Sequence, residues 1–182
     1  MKKVIAFAGS NSSTSINVQL VKYASSLINN VEVELLDLRK YDAPIYSADI
    51  EKEGIPQPIQ DLVAKLSQAD AFIIGSPEHN GSLTAFLKNI IDWASRVEAK
   101  FLGGKPVVLL STSRGKRGAA GSLQDLNAKM KYFAGEVVET FSLGSFHETF
   151  DSDQGKILDI EEQKRLKDVI IEFEQTIIQS SN

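Results

Sequence analysis

The chain has 182 residues, a length typical of one α/β domain and short for two. It contains no cysteine, which excludes disulfide scaffolds, thiolate metal sites, iron–sulfur clusters and cysteine nucleophiles. The formal net charge of -4 argues against a nucleic-acid-binding protein, since phosphate contacts need a basic face. Two histidines, far apart in the sequence, leave little room for a zinc site, and we expect no metal.

The N-terminal segment superficially resembles an export signal, because two lysines precede an apolar stretch. That stretch, Val4–Ala8, has only about five residues, below the roughly 7–15 expected of a signal peptide. No apolar run approaches the ~18 residues that a membrane-spanning helix needs. We therefore expect a cytoplasmic protein without a membrane partner, in which residues 1–182 form a single domain.

Apolar patterning predicts alternating strands and helices along the chain. Continuous or alternating apolar runs bounded by polar or glycine-containing loops predict five strands: Val4–Ala8, Val31–Leu36, Ala71–Ile74, Pro106–Leu110 and Glu136–Glu139. Apolar residues three and four apart predict five helices: Ile16–Leu27, Ile59–Leu66, Leu83–Ala94, Leu123–Phe133 and Ile157–Ile178. The segment Asp37–Pro58 holds three of the five prolines and is predicted to be a loop with short helical turns.

Strands that alternate with helices favour right-handed βαβ units and a parallel sheet. The predicted fold is α/β, a flavodoxin-like three-layer sandwich with a five-stranded parallel sheet in the order 2-1-3-4-5. In such a sheet the ligand lies beyond the carboxyl ends of the strands, where the strand order reverses. The loops that follow the first, third and fourth strands should therefore converge on one crevice.

The first of these loops, Gly9–Asn17, is rich in hydroxyl and amide side chains and leads into a helix. Backbone N–H groups and hydroxyls at a helix N-terminus suit a phosphate. The alternative is an ordinary loop with a serine helix cap. Neither Gly-x-x-x-x-Gly-Lys-Ser/Thr nor Gly-x-Gly-x-x-Gly occurs here, so the pattern favours a mononucleotide phosphate over a tightly held dinucleotide.

The other two loops carry weaker signals. In Gly75–Ser82, Asn80 offers both a donor and an acceptor to the edge of a heterocycle. The alternative is a plain turn in which Ser82 caps the next helix and His79 has no special role. The loop Ser111–Gly121 is basic and is expected to be flexible; it is either a solvated loop or, at the end of a central strand, part of the site.

Taken together, these segments resemble the NAD(P)H-dependent FMN reductase family, which includes flavin, quinone, azo-dye and chromate reductases. Ser76–Ser82 followed by Leu87–Arg96 is similar to the family's Pro-Glu-Tyr-Asn and Leu-Lys-Asn-x-Ile-Asp-Trp-x-Ser-Arg motifs. Gly9–Asn17 is similar to its phosphate loop, and Asp42–Tyr46 falls where the family has a comparable segment. The resemblance runs from about Lys3 to the fifth strand.

The resemblance implies a set of FMN-binding residues, ten in this sequence. Around the phosphate the resemblance places Ser10, Ser12, Ser15, Ile16 and Asn17. Against the isoalloxazine ring it places Pro77, Glu78, His79 and Asn80, and at the pyrimidine edge of the ring it places Ser113. Ser12 stands where the family usually has Arg, and His79 where it usually has Tyr. Because an arginine clamp on the phosphate is missing, we predict weaker FMN retention than is usual in the family.

The resemblance also implies an activity. NAD(P)H, as a transient co-substrate, would pass hydride through FMN to a small-molecule acceptor such as a quinone, free flavin or azo compound, with no side chain required as acid or base. Arg114, Lys116 and Arg117 can attract a 2′-phosphate. The helix Lys88–Arg96, with Lys88–Asp92 and Asp92–Arg96 pairs, is implied to be structural and to take part in a homodimer or homotetramer.

Two other functions remain open from the sequence. One is a flavodoxin-like electron carrier without appreciable NAD(P)H turnover, although the first loop lacks that family's Thr-x-Thr-Gly-x-Thr pattern. The other is a flavin-free α/β binding module in which the hydroxyl-rich loop only caps a helix.

Overall fold

A computed structural model describes residues 2–179. Its strands are β1 (Lys3–Ala8), β2 (Glu32–Leu35), β3 (Ala71–Gly75), β4 (Glu78–His79), β5 (Ser82–Leu83), β6 (Lys105–Thr112), β7 (Gly135–Leu143), β8 (Phe150–Asp151) and β9 (Lys156–Ile157). Its helices are α1 (Ile16–Ser26), α2 (Ala48–Glu53), α3 (Gln57–Ser67), α4 (Ala85–Val97), α5 (Ala120–Met130), α6 (Phe146–Thr149) and α7 (Ile160–Gln179). Short 3-10 turns cover Leu38–Tyr41 and Lys131–Phe133.

The central sheet has the strand order β2-β1-β3-β6-β7, and every neighbouring pair is parallel. Counted within this sheet alone, the order is 2-1-3-4-5, which confirms the predicted topology. The order reverses between β1 and β3, which are adjacent, with Ile5 opposite Phe72. The carboxyl ends of β1 and β3 therefore mark the point where a ligand site is expected.

Helices cover both faces of the sheet and complete the three layers. Alternate residues of the central strands point to opposite faces, so that Ile5 and Phe72 pack with α3, α4 and α5, whereas Ala6 and Ile73 pack with α1 and α7. These strands are buried on both faces, which explains why they read as continuous apolar runs.

The last part of the chain differs from the predicted pattern. The final helix begins at Ile160, not at Ile157, because the Asp159 side chain accepts the Glu162 N–H at 2.9 Å and caps the helix there. Ile157 lies instead in β9, which pairs with β8, and its side chain is buried. The fifth sheet strand, β7, extends to Leu143, four residues beyond the prediction.

The chain around Pro44, which follows the 3-10 turn Leu38–Tyr41, is fixed to α4. The Trp93 indole N–H donates to the Pro44 carbonyl at 2.8 Å, and the indole is fully buried. The Lys88–Asp92 ion pair forms as expected, at 2.6 Å. The prediction of an Asp92–Arg96 ion pair was wrong, because Arg96 pairs instead with Glu51 on α2, at 2.7 Å.

Candidate functional site

The loops after β1, β3 and β6 meet in one open crevice of about 510 Å³. Nine of the ten predicted residues line it: Ser10, Ser12, Ser15, Ile16, Asn17, Pro77, Glu78, His79 and Ser113. Thr14, Thr112, Arg114 and Gly115 also line it and were not among the ten predicted FMN-binding residues. A signal for Thr112 was present, since it is a hydroxyl side chain at the carboxyl end of a central strand.

The hydroxyl groups of the first loop shape the loop by accepting main-chain N–H groups. Ser10 Oγ accepts from the Ser12 N–H at 3.2 Å, and Ser12 Oγ accepts from the Thr14 N–H at 3.3 Å. Ser15 is the N-cap of α1, and its Oγ accepts from the Val18 N–H at 3.3 Å. Because an oxygen that accepts a hydrogen bond keeps its own O–H to donate, the loop presents donors at the positive end of α1.

Asn17 has a structural role that its sequence position did not reveal. Its side chain is only 4% exposed and bonds both main-chain groups of Thr112: Nδ2 donates to the carbonyl, and Oδ1 accepts from the N–H, each at 3.0 Å. The side chain thereby joins the N-terminus of α1 to the carboxyl end of β6. The backbone N–H of Asn17, in the first turn of α1, has no partner within the helix and can face a phosphate.

The second loop folds into the β4–β5 hairpin. Asn80 and Gly81 form its tip with φ of 52° and 81°, the left-handed pair that a two-residue type I′ turn requires. Asn80 is exposed at this tip and is not one of the residues that line the crevice. A contact between Asn80 and a flavin therefore stays a prediction.

The helix cap expected at Ser82 is supplied by Thr84 instead. Thr84 Oγ1 accepts from the Leu87 N–H at 3.0 Å and donates to the Gly9 carbonyl at 2.7 Å, which fixes α4 against the first loop. Gly9 permits this close approach, because a Cβ at that position would lie 2.5 Å from Leu87 Cδ2. Ser82 donates to Asp125 on α5 at 3.1 Å.

The hairpin is attached to α5 mainly through Ser122, which is fully buried. Its hydroxyl donates to the Pro77 carbonyl at 2.8 Å, so the Ser76 hydroxyl must be the donor in their 2.7 Å contact. The Ser122 N–H donates to Glu78 Oε2 at 2.9 Å. The Glu78 carboxylate thus sits at the first turn of α5, whose N-cap residue, Ala119, has no side chain that can cap it.

The third loop was expected to be flexible, but its carbonyl groups are hydrogen-bonded. The Ser113 and Gly115 carbonyls accept from the N–H groups of Phe146 and Ser145, each at 3.0 Å. The Gly118 carbonyl accepts from the Ser111 hydroxyl at 2.7 Å. These bonds hold the loop between the ends of β6 and β7, with Ser113 and Arg114 beside the crevice.

The third loop carries three cationic side chains, and one of them, Arg114, lines the crevice. Within residues 2–179, Arg114, Lys116 and Arg117 form no ion pair, and all three are exposed. Behind the hairpin, the Lys129 ammonium holds the pKa of the Asp125 carboxyl below its usual range. Asp125 therefore stays ionised while it holds Ser82, and the free cations face solvent next to the open site.

The comparisons with known proteins identify the family. The profile of the family described as NADPH-dependent FMN reductase matches residues 2–148. The chain belongs to this family. It is 31% identical over 160 residues to an NAD(P)H-dependent FMN reductase of Pseudomonas aeruginosa. The alignment covers 86% of this chain and 85% of the relative.

Further relatives agree with this assignment. The chain is 34% identical over 121 residues to a quinone reductase of Escherichia coli K12, covering 65% of this chain and 64% of the relative. A solved structure, the flavoenzyme NAD(P)H:(acceptor) oxidoreductase FerB of Paracoccus denitrificans, superimposes with a TM-score of 0.80 at 27% identity, covering 98% of each chain.

The predicted activity is confirmed at the level of the family. The chain is an FMN-dependent oxidoreductase that takes its electrons from NAD(P)H and passes them to a small-molecule acceptor. The electron-carrier alternative receives no support from these relatives. None of the helices within residues 2–179 combines the length and apolar composition that crossing a bilayer would require.

The crevice fits FMN in size and in chemistry. Its volume of about 510 Å³ falls within the roughly 300–1,000 Å³ of typical cofactor pockets. One end offers hydroxyls and the N-terminus of α1 to an anion, and the other end offers the β4–β5 hairpin and Ser113 to a planar ring. These are the donor types that a phosphate and a flavin edge need.

Proposed function

We propose that this crevice holds FMN with its phosphate at the N-terminus of α1 and its ring between the β4–β5 hairpin and the third loop. Ser10, Ser12, Ser15, Ile16 and Asn17 would surround the phosphate, Pro77, Glu78, His79 and Asn80 the ring, and Ser113 its pyrimidine edge. The observation that carries the proposal is the convergence of nine of these residues, from three separate loops, on one crevice.

FMN, when bound, supplies the redox chemistry by accepting a hydride from NAD(P)H and releasing electrons to an acceptor. The chain's own residues would bind FMN and orient its ring. Glu78 and Ser122 fix the hairpin on α5, and Asn17 fixes α1 on β6, so the walls of the crevice are set before a ligand arrives. Arg114 adds positive charge at the rim, which favours negatively charged reductants and the anionic reduced ring.

Comparing FMN with riboflavin tests the phosphate position directly. Riboflavin has the same ring system but lacks the phosphate, so we expect the apoprotein to bind FMN at least about tenfold more tightly, which is about 1.4 kcal/mol. Quenching of flavin fluorescence measures both dissociation constants. Equal affinity for the two flavins would contradict the proposed placement of the phosphate.

Turnover tests the proposed reaction. We propose a quinone as one acceptor, supported by the quinone reductase among the relatives. The FMN-loaded protein should oxidise NADPH or NADH steadily when a benzoquinone is added, whereas an electron carrier should consume almost none. Absence of steady consumption with both nicotinamides across quinone, flavin and azo acceptors would refute the proposal.

We also propose that the chain forms a homodimer or homotetramer through the surface beside α4. Trp93 is buried within the subunit and is hydrogen-bonded to Pro44. The next residue, Ile45, is 83% exposed. Light scattering after size-exclusion chromatography should show Ile45→Asp shifted toward monomer. Ile160→Asp, at an isoleucine that is 80% exposed on α7, is the matched control and should keep the wild-type mass. The cytoplasmic location stays a prediction.

A further inference from the structure

A second cavity, of about 200 Å³, lies beside the crevice at the carboxyl ends of β1 and β2. Its walls are apolar and its rim is polar: the walls include Ala6, Ala8, Val18, Val21 and Leu35, and the rim includes Ser13, Lys22, Asp37 and Arg39. Ser10 and Ser12 line both this cavity and the crevice. The two spaces therefore share part of the first loop as a wall.

The size of the cavity limits what it can hold. Pockets for whole cofactors typically measure roughly 300–1,000 Å³, so a space of about 200 Å³ suits a fragment such as a bicyclic heterocycle. Apolar walls with a few polar groups at one side are typical of sites for planar heterocycles that carry a polar substituent. A nucleobase with its sugar at the rim has this distribution of apolar and polar surface.

The charges at the rim favour an anionic substituent. Arg39 binds both carboxylate oxygens of Asp37, with Nε at 2.8 Å and Nη2 at 2.7 Å, so these two charges compensate each other. Lys22 is exposed, and it has no ion-pair partner within residues 2–179. The rim therefore carries one uncompensated positive charge, which suits a phosphate.

The position of the cavity matches the general layout of nucleotide sites in parallel sheets. In dinucleotide-binding sheets the pyrophosphate lies on the loop after the first strand, and an acidic residue near the end of the second strand binds the adenosine ribose. Asp37 lies two residues beyond the end of β2 and retains acceptor capacity beside its bonds to Arg39. This chain lacks the glycine fingerprint of tight dinucleotide sites, which fits weak and reversible binding.

We propose that this cavity binds the adenosine end of a dinucleotide whose other end lies in the flavin crevice, with the linking phosphates passing along the rim at Ser13 and Lys22. The inference rests on the proposed function, since the crevice must first hold a flavin. Two ligands carry an adenosine on such a linker: NAD(P)H, as the reductant, and FAD, in place of FMN. The cavity is named the adenosine cavity below.

ADP is the probe for the adenosine cavity, because it carries the adenosine and the linking phosphates without a redox group. Isothermal titration of the FMN-loaded protein should show ADP binding. Lys22→Gln removes the free charge and should weaken ADP binding at least threefold. Leu35→Trp should weaken ADP binding at least tenfold, because Leu35 is 48% exposed in the cavity wall and a larger ring there fills the space. Lys40→Gln and Leu158→Trp, at an exposed lysine and a 50% exposed leucine outside the cavity, should bind ADP as the wild type does.

Two further measurements separate the sources of the adenosine. If it belongs to the reductant, Leu35→Trp should raise KM for NADPH far more than KM for reduced nicotinamide mononucleotide, which has no adenosine. If it belongs to the flavin, Leu35→Trp should raise the dissociation constant of FAD far more than that of FMN. Either result supports the adenosine cavity and assigns its ligand.

Failure of this inference looks different from failure of the proposed function. Absence of ADP binding, or ADP binding that neither Lys22→Gln nor Leu35→Trp weakens, overturns the adenosine cavity while FMN binding and NADPH oxidation persist. A protein that binds no FMN overturns the proposed function, and with it the dinucleotide that this inference requires.

Discussion

Asn17→Ala should destabilise the fold more than any other change in the first loop. The substitution leaves the N–H and the carbonyl of Thr112 buried without their partners. Each unpaired buried polar group costs about 1–3 kcal/mol, so the two together should lower the free energy of unfolding by about 2–6 kcal/mol. That is a large share of the roughly 5–15 kcal/mol by which domains are stable.

Urea unfolding followed by circular dichroism measures this loss. Asn11→Ala is the matched control, since Asn11 is exposed in the same loop, and it should change the free energy of unfolding by less than about 0.5 kcal/mol. FMN should also bind Asn17→Ala more weakly, because α1 and the third loop lose their fixed separation. An Asn17→Ala protein within about 0.5 kcal/mol of wild type would refute the reasoning.

Three further predictions concern side chains around the site and the sheet edge. Ser12→Arg restores a charge-assisted contact to the phosphate and should lower the FMN dissociation constant at least about tenfold. Glu78→Ala removes the carboxylate at the start of α5, so it should cost about 1 kcal/mol of stability in urea unfolding and weaken FMN binding. Glu34→Gln should cost about 1 kcal/mol at pH 7, and the cost should shrink as acid protonates the Glu34 carboxylate. The ammonium groups of Lys3 and Lys65, at 2.6 and 2.7 Å, hold the pKa of Glu34 below its ordinary value, so its contribution is complete above that value and is lost as pH falls through the lower, folded pKa.

Each of these three predictions can be contradicted by a specific result or by a control variant. FMN affinity of Ser12→Arg no higher than wild type would contradict the first prediction. Glu78→Gln keeps an acceptor for the Ser122 N–H and should recover part of what Glu78→Ala loses; equal losses would show that the hydrogen bond is not the cause. Glu32→Gln, on the same strand as Glu34, should have little effect at pH 7, and a Glu34→Gln deficit that does not shrink at all as the pH falls would exclude the ion pairs as its source.

The topology was predictable because the sheet is covered on both faces. Val4–Ala8 and Ala71–Ile74 are continuous apolar runs, and their length and spacing predict parallel strands without any long-range information. The edge strand β7 was predicted to end four residues too early, since it has polar residues such as Thr140 and Ser142 at positions that are less buried. The predicted helix began three residues too early, since Asp159 caps the helix and sets its start at Ile160.

The site was predictable as a meeting of loops but not as a network. Parallel strands place their carboxyl ends at one edge, so Ser10, Pro77 and Ser113 come together by topology. The bonds from Asn17 to Thr112 and from Ser122 to Pro77 join residues 95 and 45 positions apart, and such pairs leave no local pattern to detect. The Asn80–Gly81 turn, in contrast, was a readable hairpin signal.

The helix α7 lies wholly beyond the stretch that the family profile matches. Yet it supplies side chains that are almost fully enclosed against β6 and β7, among them Leu166, Ile170, Phe173 and Ile177. Its Glu174 carboxylate also accepts the N–H groups of Asn29 and Asn30, at the turn between α1 and β2. A fragment trimmed to residues 2–148 would uncover part of one face of the sheet and release the far end of α1, the helix whose near end we propose to hold the phosphate. The matched part of this enzyme thus relies for its shape on a segment outside the match.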